Sequence, residues 1–182
     1  MGCCESRNQE LSMMGTINRG MSFENLDKLK EQNKWESIVQ FINIDDELEE
    51  SCEDFGTIGG KALHYLRTEG AKSPQTIGKI CLKHTQAFLK NFTTNSDELI
   101  NMTMAVFYIA LEEDNKPLKQ EMISQKIFSY LVVLFSSPNE EQRIMATHLS
   151  SRIYAKDPKM QMEFFNYHGD RALVKYLSLI HI

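Results

Sequence analysis

The sequence predicts an all-α protein built from helical repeats, and three observations lead there. From Lys61 onward, apolar residues recur at three- and four-residue steps, as one buried face of a helix requires. Val and Ile occur, but strict alternation over a strand length does not. Similar segments also return after about 42 residues: LVVLF starts at Leu131 and LVKYL at Leu173. One period earlier, Phe88, Leu89 and Phe92 stand opposite Tyr130, Leu131 and Leu134.

The chain opens MGCCES. Met1-Gly2-x-x-x-Ser6 fits the N-myristoylation pattern, with Gly2 as acceptor and Cys3 and Cys4 beside it as palmitoylation candidates. One myristoyl chain binds bilayers with only about 10⁴ M⁻¹, so stable residence needs a second signal. A basic segment would contribute ~1 kcal/mol per Lys or Arg, but Arg7 and Arg19 are countered by Glu5 and Glu10. The two thiols are therefore expected to supply it. Adjacent thiols also lack the C-x₂₋₄-C spacing of a metal site. Residues 1–21 are read as a flexible acylated tether, because RNQELSMMGTINRGM shows no sustained period.

Residues 22–182 are read as the helical domain. Ser22 is placed to cap a helix carrying Phe23, Leu26 and Leu29, and Trp35, Ile38, Val39 and Ile42 form a second apolar face. DDELEESCEDFGTIGG follows as a solvated acidic connection. Next come ALHYL, TIGKICLKHTQAFLKNF, ELINMTMAVFYIALEED, LKQEMISQKIFSYLVVLF, EEQRIMATHLSSRIYA and RALVKYLSLI. The breaks between them carry turn punctuation, at Gly70, Ser73-Pro74, Asn95-Ser96-Asp97, Ser137-Pro138-Asn139, Asp157-Pro158 and Gly169. TNSDEL and SSPNEE each lead acidic residues into a helix start, where unpaired N–H groups make the first turn partly positive.

Composition narrows the function. A chain of 182 residues with net charge −5 and scattered basic residues gives no footprint for nucleic acid. No apolar leader is visible at the start. The longest apolar run, Met104 to Leu111, is far short of the ~20 residues that cross a bilayer. Cys52 and Cys81 are expected as reduced thiols. No phosphate loop, nucleophile elbow or zinc signature occurs, and neither an enzyme nor a cofactor is expected. Cys81 and His84 are a single helical pair with no second pair to complete a metal site. The methionines, Met102, Met104 and Met145 among them, are read as fillers between helices.

The stretch 138–178 resembles an armadillo repeat over its whole length. A helix carries Ala146, Leu149 and Ile153, a polar turn follows, and Gly169 precedes a helix with Ala172, Leu173, Val174 and Leu177. Residues of about 96–137 and 54–95 fit as earlier repeats, with 22–45 as an N-terminal cap. The resemblance implies a right-handed armadillo/HEAT-like α-solenoid of about three repeats plus that cap. It also implies protein or peptide segments as partners, held on a face to which Tyr130, Val133, Lys175 and Tyr176 are assigned. The regular Trp and Asn array of importin-like members is absent, so nuclear import signals are not the implied ligand. Together with MGCCES, the pattern is similar to acylated armadillo adaptors at the cytoplasmic face of a membrane. An alternative rests on NKWESI, which is similar to the segment by which formin regulatory regions meet a Rho-type GTPase; it makes a small GTPase the partner. The apolar face running to Ile182 predicts further repeats or self-association. LSLIHI resembles translated adapter sequence, so residues 178–182 carry no functional reading.

Overall fold

The structure, a computed structural model, describes residues 23–44, 47–52, 55–112 and 114–180. The expected tether and its candidate acyl sites Gly2, Cys3 and Cys4 lie outside them. Helix α1 (Phe23–Glu31) buries Leu26, and Asn33 then takes a left-handed conformation (φ 53°), which asparagine tolerates better than most residues. Helix α2 (Trp35–Ile38) and the 3-10 turn Val39–Phe41 bury Ile38, Val39, Phe41 and Ile42. This is the expected N-terminal cap.

Two polar clusters fasten the cap. Asn43 Nδ2 donates to the Ala87 carbonyl (2.9 Å) and to Asn91 Oδ1 (2.6 Å). The fully buried Asn91 donates in turn to the Ile42 carbonyl (3.1 Å) and Thr103 Oγ1 (2.9 Å). A buried network of this kind is stable in the arrangement that satisfies it, so it fixes the cap's position. On the other side, buried Lys61 pairs with Asp27 (Nζ–Oδ1 2.9 Å), and the Tyr65 hydroxyl donates to the same carboxylate.

The acidic connection departs from expectation. It contains a two-stranded antiparallel ribbon in which β1 (Glu47–Cys52) pairs with β2 (Phe55–Thr57). The Gly56 amide (2.9 Å) and the Thr57 hydroxyl (3.4 Å) donate to Glu98, which ties the ribbon to the helices behind it. It is the only β structure among the described residues and leaves the all-α class unchanged.

Three units of three helices follow. The first is α3 (Ile58–Lys72), α4 (Pro74–Lys83) and α5 (Thr85–Lys90), the last extended by a 3-10 turn. The second is α6 (Asp97–Ala110), α7 (Lys116–Ser124) and α8 (Ile127–Leu134). The third is α9 (Glu140–Tyr154), α10 (Pro158–Asn166) and α11 (Gly169–Ile180). Second helices begin at Pro74, Lys116 and Pro158, and third helices at Thr85, Ile127 and Gly169, each in steps of 42. Proline occupies the first or second position of every second helix, where its missing N–H costs nothing. Thr57, Ser96 and Asn139 cap the long helices with side-chain oxygens, as Asn115 and Asp157 cap α7 and α10.

Helix boundaries bring three corrections. TIGKICLKHTQAFLKNF divides at His84, and LKQEMISQKIFSYLVVLF divides at Lys126, although neither site holds a glycine or proline. Helix α3 starts ahead of Lys61, taking Gly59 and Gly60 into its first turn. A Cβ on Gly59 would lie 2.7 Å from the Ile44 carbonyl oxygen and 2.9 Å from that of Ile42, so only glycine lets the cap approach this closely. The corner at Gly169 has a different cause from a glycine turn: the left-handed residue is His168 (φ 57°). A Cβ on Gly169 would meet the Phe164 ring at 2.2 Å.

The core runs through all three units. Phe88 and Phe107 pack with ring centroids 5.4 Å apart, and Phe128 meets Phe164 edge-on at 5.3 Å. Ala146, Leu149 and Ile153, expected on the buried face of one helix, are all fully enclosed. Cys81 is a free, buried thiol whose pKa burial pushes up, and it behaves as a small apolar side chain.

Candidate interaction surface

The long helices α3, α6 and α9 lie side by side in one layer, α6 packing against both neighbours. Polar contacts between their first turns recur from unit to unit. Glu98 of α6 receives hydrogen bonds from Gly56 and Thr57 ahead of α3. Asp97 receives them from Asn139 Nδ2 (2.9 Å) and Gln142 Nε2 (2.8 Å) ahead of and within α9. These contacts hold successive long helices in register.

Helical spacing sets out the solvent side of the layer. On α6, Leu99, Thr103, Val106 and Ala110 are buried, while Asn101, Met102, Ala105 and Tyr108 stay partly open. On α9 the matching outer positions are Glu141, Ile144, His148 and Arg152, and on α3 they include His64 and Arg67. Asn101 Nδ2 donates to Glu141 Oε2 (2.9 Å). The Arg152 guanidinium lies 3.7 Å from the Tyr108 ring centroid and donates to the Tyr108 carbonyl (2.8 Å), with the His148 ring 6.2 Å away. The Arg67 side chain reaches Met102. The layer thus offers planar cations and an aromatic ring, held in place by their neighbours, together with amide and carboxylate groups. Such side chains recognise extended polypeptide through stacking and charge-assisted hydrogen bonds. The pairing of Tyr108 with Arg152 is not legible in the sequence, where the two stand 44 positions apart with nothing local to connect them.

The four residues assigned from sequence fall on a different row, α8 and α11. Val133 is 69% exposed, and Lys175 holds the corresponding outward position 42 residues later. Tyr130 stacks on Phe92, with centroids 5.8 Å apart. Tyr176 departs from its assignment. It is buried, with the Arg143 guanidinium of α9 5.9 Å from its ring centroid, and offers a partner almost no surface.

Shallow clefts separate successive second helices. One of about 520 Å³ between α7 and α10 is floored by Ile123, Pro158, Met160 and Met162 and rimmed by Gln120 and Glu163. A smaller one of about 300 Å³ between α4 and α7 includes Pro74, Leu82 and Pro117. Among the described residues, no cluster of three or more His, Cys, Asp or Glu is placed to hold a metal. His84 and Cys81 do not face a shared opening, since Cys81 is wholly enclosed.

At Asp27, burial alone would raise the pKa. The hydrogen bond from Tyr65 and the Lys61 and Lys30 cations outweigh it and hold the carboxyl below its ordinary range. At Asp114, the Lys119 ammonium lowers the pKa. Both carboxylates are absorbed in structural pairs, Asp27 with Lys61 and Tyr65 of α3 and Asp114 with Lys119 of α7.

The geometry defines a short helical-repeat solenoid with one continuous layer of long helices. One solved structure bears on the fold. The structure is similar to that of ARO (armadillo repeats only protein) from Plasmodium falciparum, with a TM-score of 0.68 and 18% identity over 82% of this chain. This chain spans 65% of the length of that protein. A designed armadillo repeat protein, YIII(Dq.V1)4CPAF in complex with the peptide (KR)4, is a looser match at TM-score 0.40 and 17% identity, covering 96% of this chain and 87% of the other. No model of a known protein family matches the sequence, and no curated protein does. The fold is an all-α, armadillo-like solenoid.

Proposed function

We propose that the protein is a nonenzymatic scaffold that binds polypeptide segments on the α3–α6–α9 layer while acyl chains on Gly2 and on Cys3 and Cys4 hold it at the cytoplasmic face of a membrane. The observation that carries the binding half is the continuous layer, on which Arg67, Asn101, Tyr108 and Arg152 from three successive units reach solvent together. Solenoids use such extended surfaces because each unit adds one more set of side chains along the same direction. The anchoring half is supported by MGCCES, where an acyl acceptor and two thiols adjoin. No described helix is long and apolar enough to cross a membrane, which is compatible with attachment through lipid.

The anchoring half is tested by intact-mass measurement of protein from its native host, together with fractionation of the Cys3→Ser/Cys4→Ser double variant. The expected results are a myristoyl mass increment and release of the double variant to the soluble fraction. An unmodified amino terminus, or a double variant that stays with membranes, would sink the two-lipid proposal.

A GTPase-binding reading has one observation in its favour. Trp35 of NKWESI borders a mixed-charge cleft with Lys30, Glu31, Glu69 and Lys72, a surface on which a second protein can dock. Capture of the chain by a small GTPase only in its GTP-loaded form would establish this reading. Equal capture in both nucleotide states would exclude it.

A further inference from the structure

The α3–α6–α9 layer carries two cations that the fold leaves unneutralised. Arg67 of α3 and Arg152 of α9 lie on opposite flanks of α6, the first with Nη1 4.0 Å from the Met102 sulfur, the second 3.7 Å from the Tyr108 ring centroid. Among the described residues, neither guanidinium pairs with a carboxylate; the ion pairs there are made by Lys61, Lys83 and Lys119. Arg152 commits Nη1 to the Tyr108 carbonyl, which leaves other N–H donors of its fork for a ligand. Acidic groups of the same layer are in the opposite condition. Asp97 and Glu98 accept hydrogen bonds from neighbouring first turns, and Glu141 accepts one from Asn101. They sit at helix starts, where they also offset the positive end of the helix dipole. Because described helices flank α6 on both sides, the two arginines belong to finished contacts between units. Met102 and Tyr108 are six residues apart, which sets their cations about 9 Å apart along the α6 axis. Ala105, halfway between them and partly open, has no side chain beyond its Cβ.

We propose that the polypeptide bound by this layer is acidic: an extended segment with Asp or Glu at positions i and i+4, one for each arginine, and a leucine-sized residue at i+2 over Ala105. This inference rests on the docking layer proposed above and adds its ligand class. Residues i, i+2 and i+4 of an extended chain share one face and span about 13 Å, which suits an oblique path across α6 from the Arg67 flank to the Arg152 flank. Guanidinium and carboxylate match as planar, two-pronged partners. Stacking on Tyr108 already orients Arg152, so little side-chain freedom is left to lose on binding. A basic segment on the same path would bring like charge against both cations.

The test is fluorescence anisotropy of the full chain with two labelled synthetic peptides: Glu-Ser-Leu-Ser-Glu between Gly-Ser flanks, and its counterpart with lysine in place of both glutamates. The acidic peptide should bind saturably, and less tightly as ionic strength rises. Arg67→Glu and Arg152→Glu should each weaken it about tenfold or more, and the double variant should prefer the lysine peptide, an exchange that a purely structural role for the arginines would not produce. Lys175→Glu, an exposed change on α11, should leave affinity unaltered. Circular dichroism confirms that the variants retain their helices, and Arg67→Glu, at an exposed position, carries the test if Arg152→Glu does not fold. Acidic-peptide binding indifferent to both arginines overturns the inference. So does wild-type binding of the lysine peptide, or of both peptides equally; the docking layer itself still stands if Tyr108→Ala abolishes that binding. Capture of neither peptide also overturns the acidic ligand, and the docking layer falls with it only if Tyr108→Ala/Arg152→Glu leaves proximity labelling in cells unchanged.

Discussion

At the scale of single residues, Asn91 does the most to place the cap, because its amide group serves Asn43, Ile42 and Thr103 at once. Asn91→Ala leaves the Thr103 hydroxyl and the Ile42 carbonyl buried without their partner. We expect a loss of about 2–3 kcal/mol in urea unfolding, at the upper end for one polar truncation. Asp27 supplies a pH signature. Its folded-state pKa is lowered, so its contribution to stability is fully present above the unfolded value of about 3.9 and is lost as pH falls through the lower, folded value. Asp27→Asn should flatten the acid limb of the stability curve below about pH 4. It should also cost about 1–3 kcal/mol at pH 7, less than for a wholly buried pair because the Asp27 side chain is 42% exposed and water screens it. An unchanged acid limb would show that the Lys61 pair does not form. Neither cluster was legible in the sequence. Asn91 and Asn43 stand 48 positions apart, and Asp27 and Lys61 stand 34 apart; an isolated polar residue carries no local sign that it will be buried.

At the scale of elements, the corners between helices repeat as faithfully as the helices. Lys126 and His168 are left-handed at the starts of α8 and α11, and Asp114 and Lys156 are left-handed just ahead of the caps of α7 and α10. Each pair is 42 apart, so the backbone period persists where residue identity does not. Lys126→Gly should raise stability by up to about 1 kcal/mol in thermal or chemical unfolding, since glycine adopts φ 60° without steric cost. A destabilised Lys126→Gly variant would contradict the left-handed corner. The long helices and their buried Ala146, Leu149 and Ile153 were legible because apolar period and polar breaks coincide there. Leu149→Ala should accordingly cost about 2–5 kcal/mol. The divisions at His84 and Lys126 were not legible, because an exposed lysine marks one and a half-buried histidine the other, in place of glycine or proline. The ribbon at Glu47–Thr57 was hidden for another reason: its acidic residues read as solvated, and its anchor, Glu98, lies 42 positions beyond Gly56. Gly169 was legible as a special position, but the ring of Phe164 explains it better than turn geometry does.

At the scale of the whole molecule, nearest-neighbour packing ties each unit to the next, so a solenoid of this kind extends its surface along one direction. The period of 42 made this architecture readable before any coordinates. The period alone did not say which flank of each helix faces solvent. Tyr130, Val133, Lys175 and Tyr176 share the row of third helices, whereas the proposed docking layer is α3, α6 and α9. Which flank each helix buries depends on contacts between units, and those join residues more than 30 positions apart. Membrane-dependent docking is tested by proximity labelling in native cells, comparing wild type with Gly2→Ala and with the surface variant Tyr108→Ala/Arg152→Glu. The expected result is one set of labelled proteins that is lost in both variants, through mislocalisation in the first and through loss of the docking surface at an unchanged membrane in the second. Identical labelling in all three proteins would contradict it.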